Sequence, residues 1–199
     1  MAYGGVPLFD GVSIDVDSGR TIVVTGANGT GKTTFLKILA GLVRPVSGKI
    51  EVRPTGGKAV SDPSERRLYV GYAGPDVNAY EELSALENLA FYAKMRGLPD
   101  GVGEGILHKI GLKKSKWGDP VRTYSSGMRQ RVRLAASVLA DPAVLLWDEP
   151  SSMLDSAGRE VVGDLLRDHI DGGGVALIAS NDPVEIDRWG ERRIHFGGV

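Results

Sequence analysis

The sequence contains no cysteine, and its 199 residues carry 24 lysines and arginines against 25 aspartates and glutamates. The absence of cysteine excludes disulfides, thiolate metal sites and thiol nucleophiles, which fits a protein of a reducing compartment. The near-zero net charge gives no electrostatic reason to expect nucleic acid as the primary partner. The longest apolar runs, PAVLLW and VALIA, are too short to cross a bilayer, and the amino terminus lacks the apolar segment of a signal peptide. We therefore expect a soluble, cytoplasmic protein.

Apolar runs alternate with helix-patterned stretches along the chain. With 42% hydrophobic residues the chain can bury a core, and its length suits one domain with a small subdomain. Strands are predicted at RTIVVTG, GKIEVR, RLYVGYA, AVLLWDE and VALIA, and helices at residues 33–42, 84–97, 125–140 and 157–170. Continuous apolar strands separated by helices indicate an α/β fold with a mostly parallel sheet covered on both faces. Because residues 80–120 contain helices without an intervening strand, we expect a helical subdomain there, inserted into a core of residues 1–79 and 121–199.

A glycine-rich loop between the first predicted strand and helix carries the clearest chemistry. Its sequence GANGTGKTT matches the phosphate-binding pattern G-x-x-x-x-G-K-[ST]. The glycines let the backbone wrap a phosphate chain, and exposed N–H groups at the helix start supply positive potential. Lys32 is expected to reach the β- and γ-phosphates and Thr33 to bind Mg²⁺. The sequence therefore predicts a nucleotide site formed by Asn28, Gly29, Thr30, Gly31, Lys32, Thr33 and Thr34.

An acidic pair follows the predicted strand AVLLW at its carboxyl end. Asp148 can hold Mg²⁺ through water, and Glu149 can orient and deprotonate an attacking water molecule. Alone, an acidic pair after an apolar strand is more often a helix cap or a solvated turn. Downstream of a phosphate loop, the hydrolytic interpretation is favoured.

The stretch YSSGMRQRVRLAASVLADP lies between these two elements and resembles the signature motif of ATP-binding cassette (ABC) ATPases, usually L-S-G-G-Q followed by a basic helix. Ser125 and Gly127 match that pattern, while three neighbours replace its usual residues: Tyr124, Ser126 and Met128. A hydroxyl and a bare backbone at a helix N-terminus form an anion site. The resemblance assigns that site to the γ-phosphate of nucleotide bound by the opposite subunit. SSMLD, residues 151–155, resembles the D-loop that follows the family's acidic pair, and this ordered set of motifs is highly specific.

The resemblance implies a P-loop NTPase (RecA-like) core, a small N-terminal antiparallel β subdomain and an inserted helical subdomain. It also implies the ATP-binding subunit of an ABC transporter, exporter-like and with some similarity to haem-exporter subunits. Such subunits form a homodimer around two Mg-ATP and power a separate transmembrane permease, so they lie peripherally at the inner face of the membrane. Two alternatives stay open: a soluble non-transport ABC ATPase, and a degenerate nucleotide-binding module that hydrolyses slowly.

Three positions bear on the chemistry that this resemblance implies. Asn181 stands at the end of the VALIA strand, where the family has a histidine that contacts the γ-phosphate and helps to position the attacking water. An amide can donate a hydrogen bond to phosphate but cannot carry charge or shuttle a proton. The family's glutamine between this core and the helical subdomain falls on Pro75, and the adjacent Asp76 is either a further Mg²⁺ ligand or a turn residue. Tyr3 occupies the place of the aromatic residue that stacks on adenine.

Two further expectations concern structure rather than chemistry. The arginines of the predicted signature helix are expected to form a solvated face and not a nucleic-acid surface: Arg129, Arg131 and Arg133. Trp147, just before the acidic pair, is expected to pack against the helix that follows the phosphate loop.

Overall fold

Seven strands form two sheets in the computed structural model, which describes residues 2–3 and 6–197. Two short strands, Ala2–Tyr3 (β1) and Val6–Pro7 (β2), pair antiparallel. The other strands are Arg20–Gly26 (β3), Val70–Ala73 (β4), Val144–Asp148 (β5), Val175–Ala179 (β6) and Arg192–Phe196 (β7). They form one sheet in the order β4-β5-β6-β3-β7, in which every neighbouring pair is parallel. The predicted α/β class with a parallel sheet is confirmed.

Helices connect the strands. They are Lys32–Leu39 (α1), Pro63–Arg66 (α2), Ala85–Met95 (α3), Val102–Lys109 (α4), Ser126–Val138 (α5), Ser156–Asp171 (α6) and Pro183–Trp189 (α7). Helices α2, α3, α5, α6 and α7 begin after a residue whose side chain caps the helix, whereas α1 and α4 begin after a glycine. Helix α3 begins with a capping box, in which Ser84 N–H donates to the Glu87 carboxylate at 2.8 Å and Glu87 N–H donates to the Ser84 hydroxyl at 3.2 Å. Within the described part of the chain, no helix is both long and apolar enough to cross a membrane.

The core lies on both faces of the sheet, and side-chain alternation along β5 sends neighbours to opposite faces. Leu146 packs with Phe35 and Leu36 of α1. Leu145 and Trp147 belong to the other face, together with residues of α3 to α6. The expectation that Trp147 packs against the helix after the phosphate loop is therefore wrong. Its fully buried indole instead donates to the Ser137 hydroxyl of α5 at 3.0 Å, which satisfies the ring N–H.

The strand predicted at residues 48–53 does not form as a ladder. Only Val52 pairs there, in a single antiparallel bridge with Val60. Gly48 has a φ of 106° and Pro54 has no N–H to donate, so the segment is interrupted at both ends. Lys49 and Glu51 are exposed and pair with each other at 2.8 Å. The N-terminal antiparallel part thus consists of the β1–β2 pair and this bridge.

Residues 80–120 contain α3 and α4, and this fully described stretch contributes no strand to the sheet. Asn88 is completely buried and binds the loop that enters α3, accepting from Tyr80 N–H at 2.8 Å and donating to Ser84 C=O at 2.9 Å. The helical content and the absence of a sheet strand agree with the predicted helical subdomain, whose limits stay a prediction.

Arg66 is a buried cation that fixes the carboxyl end of α1. Its side chain is 3% exposed and donates only to backbone carbonyls, those of Ile38, Leu39, Ile50 and Ser61, at 3.0 to 3.3 Å. The carbonyls at a helix end have no intrahelical partner, so the guanidinium satisfies groups that would otherwise be buried without one. Arg66 therefore joins the end of α1 to the loop before α2.

We expect Arg66→Ala to lower the free energy of unfolding by about 3 kcal/mol, because it leaves several buried carbonyls without donors. The matched control is Arg67→Ala, since Arg67 is exposed and donates to Pro63 C=O alone. Urea denaturation followed by circular dichroism measures both variants. Equal unfolding midpoints for the two would show that the Arg66 contacts contribute no net stability.

Candidate active site

The glycine-rich loop joins β3 to α1 in a conformation that only glycine adopts easily. Gly31 precedes α1 with a φ of 99°, and a Cβ on Gly26 would lie 2.3 Å from the Phe196 carbonyl oxygen. Lys32, 7% exposed, donates its ammonium to Gly26 C=O at 2.6 Å and Ala27 C=O at 3.2 Å. The loop therefore folds around its own lysine, and the N-terminus of α1 opens toward the cleft above it.

The first turn of α1 meets the end of β5 through a single hydrogen bond. Thr33 donates its hydroxyl to the Asp148 carboxylate at 2.5 Å. Burial raises the pKa of Asp148, while the Thr33 hydrogen bond and the charge of Lys32 oppose that shift. The two predicted Mg²⁺ ligands on these elements are thus adjacent.

These oxygen donors suit Mg²⁺. In the described residues, no group of three or more His, Cys, Asp or Glu side chains is placed to hold a metal. Mg²⁺ keeps several waters and is commonly held by one or two protein groups together with substrate phosphates, so the pair Thr33 and Asp148 fits it. Asp76 is engaged elsewhere, 3.0 Å from the Lys37 ammonium and accepting from the Tyr72 hydroxyl at 3.2 Å. Its role as a further ligand stays a prediction.

Glu149 follows β5 in a left-handed backbone conformation with a φ of 50°. Its N–H donates to Ala179 C=O of β6 at 2.9 Å, which fixes the residue at the carboxyl edge of the sheet. Burial raises the pKa of Glu149, and the nearby carboxyls of Glu185 and Asp148 raise it further. A carboxylate with a raised pKa is a stronger proton acceptor, as a general base requires.

Asn181 lies beside the glycine-rich loop. Strand β6 ends at Ala179, and Asp182 caps α7 by accepting from Val184 N–H at 2.9 Å. The Asn181 amide between them donates to the Asn28 side-chain oxygen at 3.3 Å. The Asn181 N–H also lies close enough to Glu149 to counter the rise in its pKa. One residue thus contacts both the loop and the candidate base.

An open cleft of about 620 Å³ brings most of the predicted residues together. Its lining includes Asn28, Gly29, Gly31, Lys32, Thr33, Thr34, Asp148 and Glu149. Thr30 does not line it, because its hydroxyl donates back to Ala27 C=O at 2.9 Å. The cleft therefore combines a phosphate-binding loop, a magnesium-type oxygen pair and a carboxylate base.

The two signature residues do not line this cleft, and neither Asn181 nor Asp76 is among its lining residues. Ser125 caps α5 by accepting from Met128 N–H at 3.2 Å, and a Cβ on Gly127 would lie 2.9 Å from the Met153 carbonyl oxygen. Both residues belong to the α5 N-terminus and are absent from the cleft lining, as expected if they serve nucleotide on another subunit. The side chain of Tyr3 lies outside the described residues.

Sequence reasoning missed Arg133. The arginines of α5 were expected to form a solvated face, which is wrong for two of them. Arg131 has a side chain that is 14% exposed and donates to Ile110 C=O at 2.8 Å, while half-buried Arg133 lines the nucleotide cleft. The signal was weak, since a basic residue on a helix is usually solvated.

Comparison with known proteins agrees with this geometry. The sequence model of the family described as ABC transporter matches residues 9–152. The daunorubicin resistance ATP-binding protein DrrA3 of Streptomyces coeruleorubidus is 34% identical over 96% of this chain and 60% of its own length. The cytochrome c biogenesis ATP-binding export protein CcmA of Cupriavidus pinatubonensis is 38% identical over 91% of this chain and 80% of its own length. The expected resemblance to exporter ATP-binding subunits is confirmed.

Solved structures show the same fold. The ATP-binding subunit of an ABC transporter superposes with a TM-score of 0.86 at 25% identity, covering 98% of this chain and 81% of that one. A dimeric bacterial ABC transporter cassette gives a TM-score of 0.84 at 24% identity, covering 96% of this chain and 86% of that one. The chain therefore belongs to the ABC transporter family, as an ATP-binding cassette that carries the family's ATPase machinery.

Proposed function

We propose that this chain binds and hydrolyses Mg-ATP as the nucleotide-binding subunit of an exporter. The observation that carries the proposal is the convergence of Lys32, Thr33, Asp148 and Glu149 on one cleft at the carboxyl edge of a parallel sheet. That edge is where open α/β sheets bind their ligands. The exporter assignment rests on the relatives, which are named export and resistance ATP-binding proteins.

Each group has a defined task in this scheme. The loop N–H groups and Lys32 hold the β- and γ-phosphates, and Thr33 and Asp148 hold Mg²⁺, which neutralises phosphate charge when bound. Glu149 orients a water molecule and takes its proton as that water attacks the γ-phosphorus. Asn181 donates its amide to the γ-phosphate, in exchange for its present hydrogen bond to Asn28.

Dimerisation follows from the position of the signature residues. Ser125 and Gly127 are absent from the lining of their own subunit's cleft, so their anion site is available to a second copy. Met153 of the D-loop is 76% exposed, which is unusual for a large apolar side chain and supports burial against a partner. A homodimer with two-fold symmetry would place each signature against the other subunit's ATP.

A permease is the second proposed partner, and an apolar surface beside α3 supports its docking. Leu68, Tyr80, Phe91 and Met95 are each 40% to 69% exposed, and we call them the α3 patch. Tyr80 and Phe91 pack edge to face with ring centroids 5.2 Å apart. A rigid aromatic surface of this kind suits a helix from the cytoplasmic side of a membrane protein. The chain would then lie peripherally at the inner face of the membrane.

A slowly hydrolysing module is the second candidate, and two substitutions favour it. Asn181 cannot carry the charge of a histidine, and Pro75 offers no side-chain donor. Glu149 and Lys32 are both in place, so we expect hydrolysis that is slow but measurable. A non-transport ABC ATPase is disfavoured because the relatives named here are export or resistance proteins.

We expect Lys32→Ala to weaken ATP binding, because it removes the cation that faces the phosphates, whereas Glu149→Gln should keep binding and lower turnover by roughly a hundredfold or more. Calorimetry with ATP and a phosphate-release assay separate the two effects. Lys58→Ala, an exposed lysine outside the cleft, is the control. An unaltered turnover in Glu149→Gln would refute the assigned base.

The Glu149→Gln protein should dimerise when Mg-ATP is added, and Ser125→Arg in the same background should prevent this by blocking the anion site. Light scattering measures the mass. Ser64→Arg adds the same charge at an exposed position of α2 and should leave dimerisation intact. A monomer at saturating ATP and high protein concentration would contradict the proposed homodimer.

Asn181→Ala should lower turnover by about tenfold to a hundredfold, because a donor to a charged acceptor contributes about 1.5 to 3 kcal/mol in the transition state. The turnover of Asn181→His should equal or exceed that of the wild type, provided that the imidazole ring fits beside the glycine-rich loop. Single-turnover kinetics measure the chemical step. Wild-type rates in Asn181→Ala would show that Asn181 only links β6 to α7.

A further inference from the structure

Arg133 on α5 touches two parts of the molecule that are distant in sequence. Its guanidinium donates to Val77 C=O at 2.8 Å and to the Asn78 side-chain oxygen at 2.9 Å. It also donates to the side-chain oxygen of Gln130, one turn earlier on the same helix. The arginine is half-buried and lines the nucleotide cleft. It therefore contacts the segment after β4 and the interior of α5 at once.

Gln130 extends this contact to the catalytic edge. It is 4% exposed, and both ends of its amide are used: the oxygen accepts from Arg133, and the nitrogen donates to Pro150 C=O at 2.8 Å. Pro150 directly follows Glu149. A continuous chain of hydrogen bonds thus runs from Asn78 through Arg133 and Gln130 to the residue after the candidate base.

The segment that Arg133 holds runs from the cleft to the α3 patch. It begins near Pro75, which lines the cleft, and ends at Tyr80, which belongs to the patch. Pro75 has no side-chain donor for phosphate or water. Asp76 is engaged by Lys37 at 3.0 Å. Neither Pro75 nor Asp76 therefore offers a side-chain hydrogen-bond donor, whereas the Arg133 guanidinium lines the cleft together with Pro75.

We propose that Arg133 and Gln130 form a polar link that positions Glu149 by joining residues 77–78 to the Pro150 carbonyl. This inference rests on the proposed function and names two positioning residues for its hydrolytic step. Displacement of residues 77–78 would pull on the guanidinium, and the amide of Gln130 would pass the shift to the Pro150 carbonyl. Because Glu149 must place its carboxylate on a water molecule, small shifts there change turnover more than ATP binding. Arg133 and Gln130 are positioning residues in this scheme.

The test removes each half of the link separately. Arg133→Ala deletes the first half, and Gln130→Glu keeps an acceptor for Arg133 but loses the donor to Pro150 C=O. Each should lower kcat by about tenfold with KM for ATP near that of the wild type. The double variant should be no slower than either single variant, because both break one chain. Arg129→Ala is the control, since Arg129 donates to the Val121 and Arg122 carbonyls and pairs with Glu81 at 3.7 Å, all outside the two segments of the link.

Amide hydrogen exchange without nucleotide gives a second readout that does not depend on hydrolysis. Arg133→Ala should speed exchange at residues 74–80 and also at residues 149–155, whereas Arg129→Ala should change neither. Where Arg133→Ala fails to fold, Arg133→Lys, which keeps the charge but serves fewer acceptors, replaces it. Additive losses in the double variant, a change in KM alone, or exchange altered only at residues 74–80 would overturn the link. A wild-type protein without ATPase activity would instead refute the proposed function, and the exchange result would still stand.

Discussion

The pairing of β5 with β6, in which Asp148 lies opposite Ala179, is the constraint on which the site depends. The next hydrogen bond, from Glu149 N–H to Ala179 C=O, extends that register by one residue. It holds the candidate base at the edge where β3 delivers the glycine-rich loop and β6 delivers Asn181. A slip of one residue along β5 would turn Asp148 away from Thr33 and send Trp147 to the wrong face of the sheet. Strand register and catalytic geometry are therefore one property of this fold.

The parallel sheet and the phosphate loop could be predicted because their signals are local. Strand β5 is apolar on both faces, α3 carries its capping box, and the loop has a fixed glycine spacing. The failures depend on tertiary partners. Residues 48–53 have a strand-like composition, but only Val52 finds a partner, and the sequence does not state which strand will lie beside it. Arg133 looks solvated on a helical wheel, and only the fold places residues 77–78 against it.

The cleft places its phosphate-binding cation, Lys32, and its candidate base, Glu149, in different surroundings. Lys32 is held by carbonyls of its own loop, so its cation is positioned without a carboxylate partner. Glu149 faces other carboxyls, those of Glu185 and Asp148, which favour its protonated form. A Glu149 carboxylate that stayed fully charged would repel the negatively charged phosphate beside it. The same low-dielectric surroundings that disfavour the charge of Glu149 increase its affinity for the proton of water.

The left-handed backbone at Glu149 lowers the stability of the fold at a residue that the activity requires. A non-glycine residue at a φ of 50° costs of the order of 1 to 3 kcal/mol. Glycine would relieve that strain, and asparagine, which adopts this conformation more readily than glutamate, would lessen it. Either replacement would also discard the carboxylate. A variant library sorted only for thermal resistance would therefore drift toward inactive sequences at this position. A selection for heat tolerance in this protein must therefore also select for ATPase activity, because replacing Glu149 relieves local strain and removes the base at the same time.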